Sequence, residues 1–305
     1  MKKRIVIGSR ASDLALKQTY WIVECLKEKY PDLEYEVVKI KTMGDQILDQ
    51  TLSKIGGKGL FVKEIEAALL ENKIDLAVHS MKDVPTQMID ELIIGAITDR
   101  EDPRDVLITK NHIKLDDLKQ GARIGTSSLR RAAQILAYRP DISIEPIRGN
   151  IKTRIEKIET MNLDGIILAA AGIIRMGWQD KITEYLSTQI STPAVGQGTL
   201  AIQIRKDDQW VQSIVKALNN EEVQMSVLAE RSFMKKLNGG CHVPIGAFAK
   251  VDGEKIHMTT IVANEDGKKI IKLKNSCRKW DAEQLGVQMA QETLEKGGQD
   301  ILKNL

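Results

Sequence analysis

Strand-like and helix-like stretches alternate along most of the chain, and this alternation confines it to layered α/β architectures. Arg4–Ile7 reads as a short buried strand, and Ser12 as the N-cap of a helix from Asp13 to about Lys29. On that helix Leu14, Ile22, Cys25 and Leu26 fall at helical spacing, which predicts Cys25 in the core. Tyr35–Ile40 is a second strand, Leu60–Glu71 a helix, and Ile74–His79 and Ile93–Ile97 further strands, the pattern of a parallel sheet. After the polar stretch 98–104 the alternation restarts. Strands are expected near Val106–Ile108, Arg123–Gly125, Ile142–Ile147 and Gly165–Ala169, with helices starting near Ser127, Asn150 and Ala170.

A second break falls at Ser191-Thr192-Pro193, after which Leu200–Arg205 is strand-like and positioned to rejoin the first sheet. Two crossings between similar α/β lobes imply a hinged cleft suited to a ligand. The remainder reads as a small α+β domain: a helix over 221–236, strands near 243–248, 255–262 and 268–275, and a closing helix near 281–295. The expected division is 1–98 with 194–217, then 99–193, then 218–305.

Several function classes are excluded by composition. Lys plus Arg number 45 against 42 Asp plus Glu, and the net charge of +3 gives no field to draw the chain onto nucleic acid or a membrane. Aromatic residues, at 4%, provide no stacking platforms for single strands. The apolar run Gly165–Ile174 is half of the roughly 20 residues a membrane helix needs. Cys25, Cys241 and Cys277 lie far apart without metal-ligand spacing, so no metal is expected, and an odd count fits a reducing, cytoplasmic setting.

Any anion site must therefore be local, and the arginines mark it. Seven of the fourteen lie between residues 123 and 175. Gly125-Thr126-Ser127-Ser128-Leu129-Arg130-Arg131 follows a strand and opens a helix, where backbone N–H groups, three hydroxyls and two guanidiniums can converge on an anion. Arg148-Gly149-Asn150-Ile151-Lys152-Thr153-Arg154 repeats the arrangement at the next strand end, the edge where open α/β sheets bind ligands. Arg10 after the first strand and the loop carrying Lys54 and Lys58 offer similar features in the first lobe, although that loop also reads as a plain flexible connection.

Asp83, in His79-Ser80-Met81-Lys82-Asp83-Val84-Pro85, follows a strand end and faces the expected cleft. A lone Asp in a turn is usually a turn former, but as a carboxylate here it is suited to stabilising a cation. Gly239-Gly240-Cys241-His242 sets a thiol on a glycine-flexible loop, which reads either as buried filler or as a nucleophile offered to the cleft. His242 is adjacent, yet neighbours in a strand point to opposite faces, so a Cys–His pair has no support.

Taken together, these stretches closely resemble the porphobilinogen deaminase family. The matching segments are Ile7 to Arg10 with Leu14 to Leu16, Gly56 to Phe61, His79 to Pro85, Gly125 to Arg131, Arg148 to Arg154, Leu168 to Gly177, Pro193 to Gly198 and Gly240 to Gly246. The resemblance implies two lobes like a type II periplasmic binding protein and a third domain that carries the cofactor. It implies a dipyrromethane primer attached by a thioether to Cys241. Four porphobilinogens would be added to it with loss of ammonia, and hydrolysis would release hydroxymethylbilane. Loss of ammonia from the substrate leaves a cationic azafulvene, and each addition brings two carboxylates, which explains both the aspartate and the arginines.

By residue matching, Asp83 is the catalytic carboxylate. Lys82, Ser128, Arg130 and Arg131 hold cofactor carboxylates, with Thr126 and Ser127 as helpers. Arg10, Ser12, Arg148, Arg154 and Arg175 hold substrate or the growing chain, and the Lys54–Lys58 loop covers the cleft. A monomer acting on porphobilinogen alone, with no nucleic-acid or membrane partner, is expected. One departure stands out: the family pattern after Gly198 is Ala-Leu-Gly-Ile-Glu, whereas this chain has Thr199-Leu200-Ala201-Ile202-Gln203, which removes a carboxylate. The rival reading is a two-lobed carboxylate-binding protein without chemistry, because fold alone does not fix function.

Overall fold

A computed structural model of the protein describes residues 3–46, 62–239 and 243–303. It divides into two compact units, 1–100 with 199–224, and 101–198 with 225–305. The first holds a five-stranded sheet built from β1 (Arg4–Arg10), β2 (Glu34–Ile40), β3 (Leu76–Ser80), β4 (Leu92–Ile97) and, much later in the chain, β10 (Leu200–Arg205), in the order β2-β1-β3-β10-β4. β1 runs parallel to β2 and β3, as the alternation predicts, but β10 enters antiparallel to both β3 and β4.

Helix α1 (Asp13–Lys29) begins at Ser12, whose hydroxyl accepts from Ala15 N at 3.4 Å, and ends with Lys27 and Lys29 against the negative end of its dipole. It buries Gln18, Thr19, Ile22, Val23 and Leu26. Cys25 falls at the flank of that stripe and is half-buried rather than in the core. Ile5, Ile7, Ile22, Leu26, Leu76, Ile202 and Ile204 form one core layer. After the short helix α2 (Met43–Gln46), α3 (Lys63–Leu70) buries Ile65 and Leu69 against Ile74, Ala77 and Leu92. Each fully buried Ile or Leu contributes about 1.5–3 kcal/mol.

In the second unit β5 (Asp105–Thr109), β6 (Arg123–Gly125), β7 (Ser143–Glu145), β8 (Gly165–Ala169) and β9 (Glu184–Tyr185) form a sheet in the order β7-β6-β8-β5-β9. Helices α4 (Leu129–Tyr138), α5 (Ile151–Thr160) and α6 (Ala170–Met176) follow β6, β7 and β8. Strand β7 is shorter than expected because Pro146 lacks the N–H that would extend the ladder. Beyond α7 (Gln209–Val215) and α8 (Glu221–Lys236), β11 (Ile245–Asp252), β12 (Lys255–Ala263) and β13 (Ile270–Arg278) make an antiparallel meander, followed by α9 (Ala282–Thr293) and α10 (Gln299–Lys303). Phe233, Ala247, Met258, Leu285 and Met289 form its core. Ala247 N donates to Pro193 O at 3.0 Å, which ties β11 to the segment before β10.

Candidate active site

In the first unit a small pocket opens beyond the ends of β1 and β3, lined by Arg10, Ala15, Gln18, Val62, Val78, His79, Ser80 and Asp83. Asp83 closes a single 3-10 turn, Met81–Asp83, that continues directly from β3. Met81 and Val84 are buried on either side, and Met81 N donates to Thr199 O at 3.0 Å. The turn is thereby pinned at both ends, leaving Asp83 half-buried at the pocket wall. Lys82 beside it is also half-buried. His79 is held neutral: burial pushes its ring down to about 4 and Arg10 adds to the shift, against the opposing pull of Gln203 and Asp83. Ser12 is placed by its capping bond to α1 and is not part of the pocket lining.

In the second unit the two arginine-bearing strand ends are joined by the loops themselves. Ser127 Oγ donates to Ile147 O at 2.6 Å, and Thr126 Oγ1 accepts from Ser128 N at 3.2 Å, so both hydroxyls shape backbone. Ser128 is the N-cap of α4 but makes no side-chain capping bond. At the next strand end Asn150 Oδ1 caps α5 by accepting from Thr153 N at 2.8 Å. Arg154 Nε donates to Gly149 O at 2.8 Å, and Arg148 Nη1 is buried with no hydrogen-bond partner among the described residues. Arg175 Nη2 donates to Gly198 O at 2.7 Å, and burial lowers its pKa to about 10.

Arg130 and Arg131 sit deeper than a solvent-facing basic patch would. Both grip Asp105, at 2.7 Å from Arg130 Nη1 to Oδ2 and 2.9 Å from Arg131 Nε to Oδ1. Ser191 Oγ donates to the same carboxylate at 2.7 Å and Gln197 Nε2 at 2.9 Å. Burial raises the Asp105 carboxyl, but the two guanidiniums outweigh it and hold the group well below the usual carboxylate range. Sequence reasoning passed over Asp105 and Gln197. The available signal was an acid opening the mostly apolar strand β5, every residue of which is buried.

Two guanidiniums against one carboxylate leave a surplus of positive charge, and Arg148 adds an unpaired buried donor. That donor set fits a group bearing several carboxylates, such as a dipyrromethane. Cys241, Lys54 and Lys58 lie outside the described residues.

Residues 5–213 match the family model for the porphobilinogen deaminase dipyrromethane cofactor binding domain, and residues 224–295 match that for the porphobilinogen deaminase C-terminal domain. Porphobilinogen deaminase of Alkaliphilus metalliredigens is 54% identical over 303 residues, covering 99% of this chain and 96% of that protein. The Bacillus subtilis enzyme of the same name is 50% identical over 304 residues, covering 99% and 96%. Among solved structures, the periplasmic aliphatic sulphonate binding protein SsuA from Escherichia coli aligns at 13% identity with a TM-score of 0.42, covering 79% of this chain and 76% of that one. With both family models spanning most of its length and relatives this similar over nearly all of it, the chain belongs to the porphobilinogen deaminase family.

Proposed function

We propose that the chain is a transferase that condenses four porphobilinogen molecules head to tail, with loss of ammonia, and releases hydroxymethylbilane by hydrolysis. The observation that carries this reading is Asp83, half-buried on a pinned turn in a pocket shared with Arg10 and a neutral His79. A dipyrromethane on Cys241 supplies, when bound, the nucleophilic pyrrole carbon from which the product grows.

The chain's own residues do the rest. The Asp83 carboxylate accepts a hydrogen bond from the pyrrole N–H of the substrate and stabilises the cation that forms as the substrate's ammonium group departs as ammonia. It then takes the proton that the attacking pyrrole carbon loses and passes it from its carboxyl oxygen to that ammonia. Arg10, Ser12, Arg148, Arg154 and Arg175 bind substrate and product carboxylates. Lys82, Ser128, Arg130 and Arg131 hold those of the primer, with Thr126 and Ser127 shaping the loop. Asp105 fixes the direction of the two buried guanidiniums.

The three separate sheets support the three-domain division expected from the sequence. We place the enzyme in the cytoplasm as a monomer. Cys25 and Cys277 are free thiols, which fits a reducing compartment. The deciding experiment is an intact-mass measurement. The denatured protein should exceed its sequence mass by one dipyrromethane, and Cys241→Ser should abolish the excess. Full activity in an unmodified protein overturns the primer role.

A further inference from the structure

A buried polar chain leads away from the pocket that holds Asp83. His79 Nε2 lies 3.0 Å from Gln203 Oε1, and Gln203 Nε2 donates to Glu66 Oε1 at 2.9 Å. The three side chains come from β3, β10 and α3, and each is less than 8% exposed, at 5%, 0% and 7%. In the ladder His79 pairs with Ala201 and Ala77 with Gln203, so His79 and Gln203 are diagonal neighbours on one face of the sheet. His79 also lines the pocket with Arg10, Ser80 and Asp83, and its Nδ1 has no hydrogen-bond partner among the described residues.

Donor and acceptor chemistry then leaves one arrangement. A carboxylate only accepts, so the amide of Gln203 must turn its NH2 to Glu66 and its carbonyl to His79. A carbonyl oxygen also only accepts, so the ring nitrogen facing it must carry the hydrogen. Reversing the amide would require a protonated Glu66 and would move the ring hydrogen to Nδ1.

We propose that Gln203, oriented by Glu66, is a positioning residue that fixes His79 as the neutral Nε2–H tautomer, leaving the Nδ1 lone pair as an acceptor beside Asp83. Among the described residues the charged groups that bear on the ring are Arg10 from β1, Asp83 from the turn after β3, and Glu66 from α3 through Gln203. Burial, the larger influence, and Arg10 disfavour the cation, whereas the Gln203 carbonyl and Asp83 favour it, so Gln203 sets which nitrogen carries the hydrogen while burial keeps the ring neutral. Neutrality matters because an imidazolium would pair with Asp83 and compete with the substrate cation for the same carboxylate. This functional consequence rests on the role assigned to Asp83 above; the tautomer itself does not.

The test is nitrogen NMR of holoenzyme labelled with 15N-histidine, with the His79 signals assigned by their loss in His79→Gln. The expected spectrum shows a protonated Nε2 and a bare Nδ1, unchanged from pH 8 to pH 5. Gln203→Glu places a second carboxylate against Glu66 and the ring, and should raise the His79 midpoint by more than one pH unit, a greater than tenfold change in proton affinity. Turnover of that variant should fall as pH drops through the new midpoint and recover above it. An Nδ1–H tautomer in the unaltered enzyme, a ring that titrates near its ordinary value, or an unchanged midpoint in Gln203→Glu each overturns the proposal. If that variant does not fold, the spectrum of the unaltered enzyme decides alone. Intact mass reports on the primer independently, so the two readings fail separately.

Discussion

Asp105 has no exposed surface, and two guanidiniums depend on its charge. Asp105→Asn removes that charge while keeping the shape, leaving two buried cations facing each other. The variant should lose about 3–5 kcal/mol in urea unfolding, the range for breaking a buried pair. The pH dependence follows from the direction of the shift. The folded carboxyl titrates below its ordinary value of 3.8, so the unfolded state binds its proton first as pH falls. The contribution is therefore complete above about pH 4 and declines below it. Unfolding free energy of the native enzyme should drop steeply on that acid side, and Asp105→Asn should lack this part of the decline. Asp83 calls for the opposite readout: Asp83→Ala should keep its cofactor mass and lose turnover by about 10²–10⁴-fold, the span of general acid–base effects. Near-normal turnover removes it from the mechanism. The prominence of Asp83 in the sequence comes from a strand end and a recognisable local motif. Asp105 offers no such local sign, since Arg130 and Ser191, which explain it, lie 25 and 86 residues away along the chain.

At the level of elements, the turn between β7 and α5 does two things within three residues. Asn150 caps the helix, and Gly149 adopts φ +114° so that its carbonyl can receive Arg154 Nε. A Cβ at Gly149 would meet Thr153 Cβ and Cγ2 at 2.8 Å, in a backbone region that side chains avoid. Gly149→Ala should therefore destabilise by about 1–3 kcal/mol and lower substrate affinity through Arg154, whereas Asn150→Ala should cost only about 1 kcal/mol. Thermal melts and KM together check both; an unchanged KM in Gly149→Ala would detach the turn from binding. The start of α5 was readable because an Asn before an amphipathic run is a local signal. The orientation of β10 was not, because period-two burial marks a strand without giving its direction, and here all six of its residues are buried. Only its pairing with β3 and β4 reveals that it runs against them.

For the molecule as a whole, the meander β11–β13 is stitched into the unit that carries the arginines. Glu230 on α8 accepts from Gly196 N at 2.7 Å and from Ala249 N at 2.8 Å, and Lys272 Nζ donates to Gln189 O at 2.6 Å. Gly267 lies so close to the Ala133 carbonyl that no side chain fits. These ties predict one cooperative transition for the unit. Variants keeping only Trp178, beside β8, or only Trp280, after β13, should unfold at the same denaturant midpoint, and separated midpoints would show the meander melting alone. The three sheets could be anticipated from the rhythm of the sequence, but these ties could not, because each joins groups on different elements that no local pattern brings together.

The late arrival of β10 has a consequence during synthesis. Strand β4 ends at Ile97 and its neighbour begins at Leu200, so a ribosome must add about a hundred more residues before the first sheet can close. Until then the nascent chain carries an open flank on β3 and an apolar β4 with nothing to pair with, the kind of surface that chaperones shield.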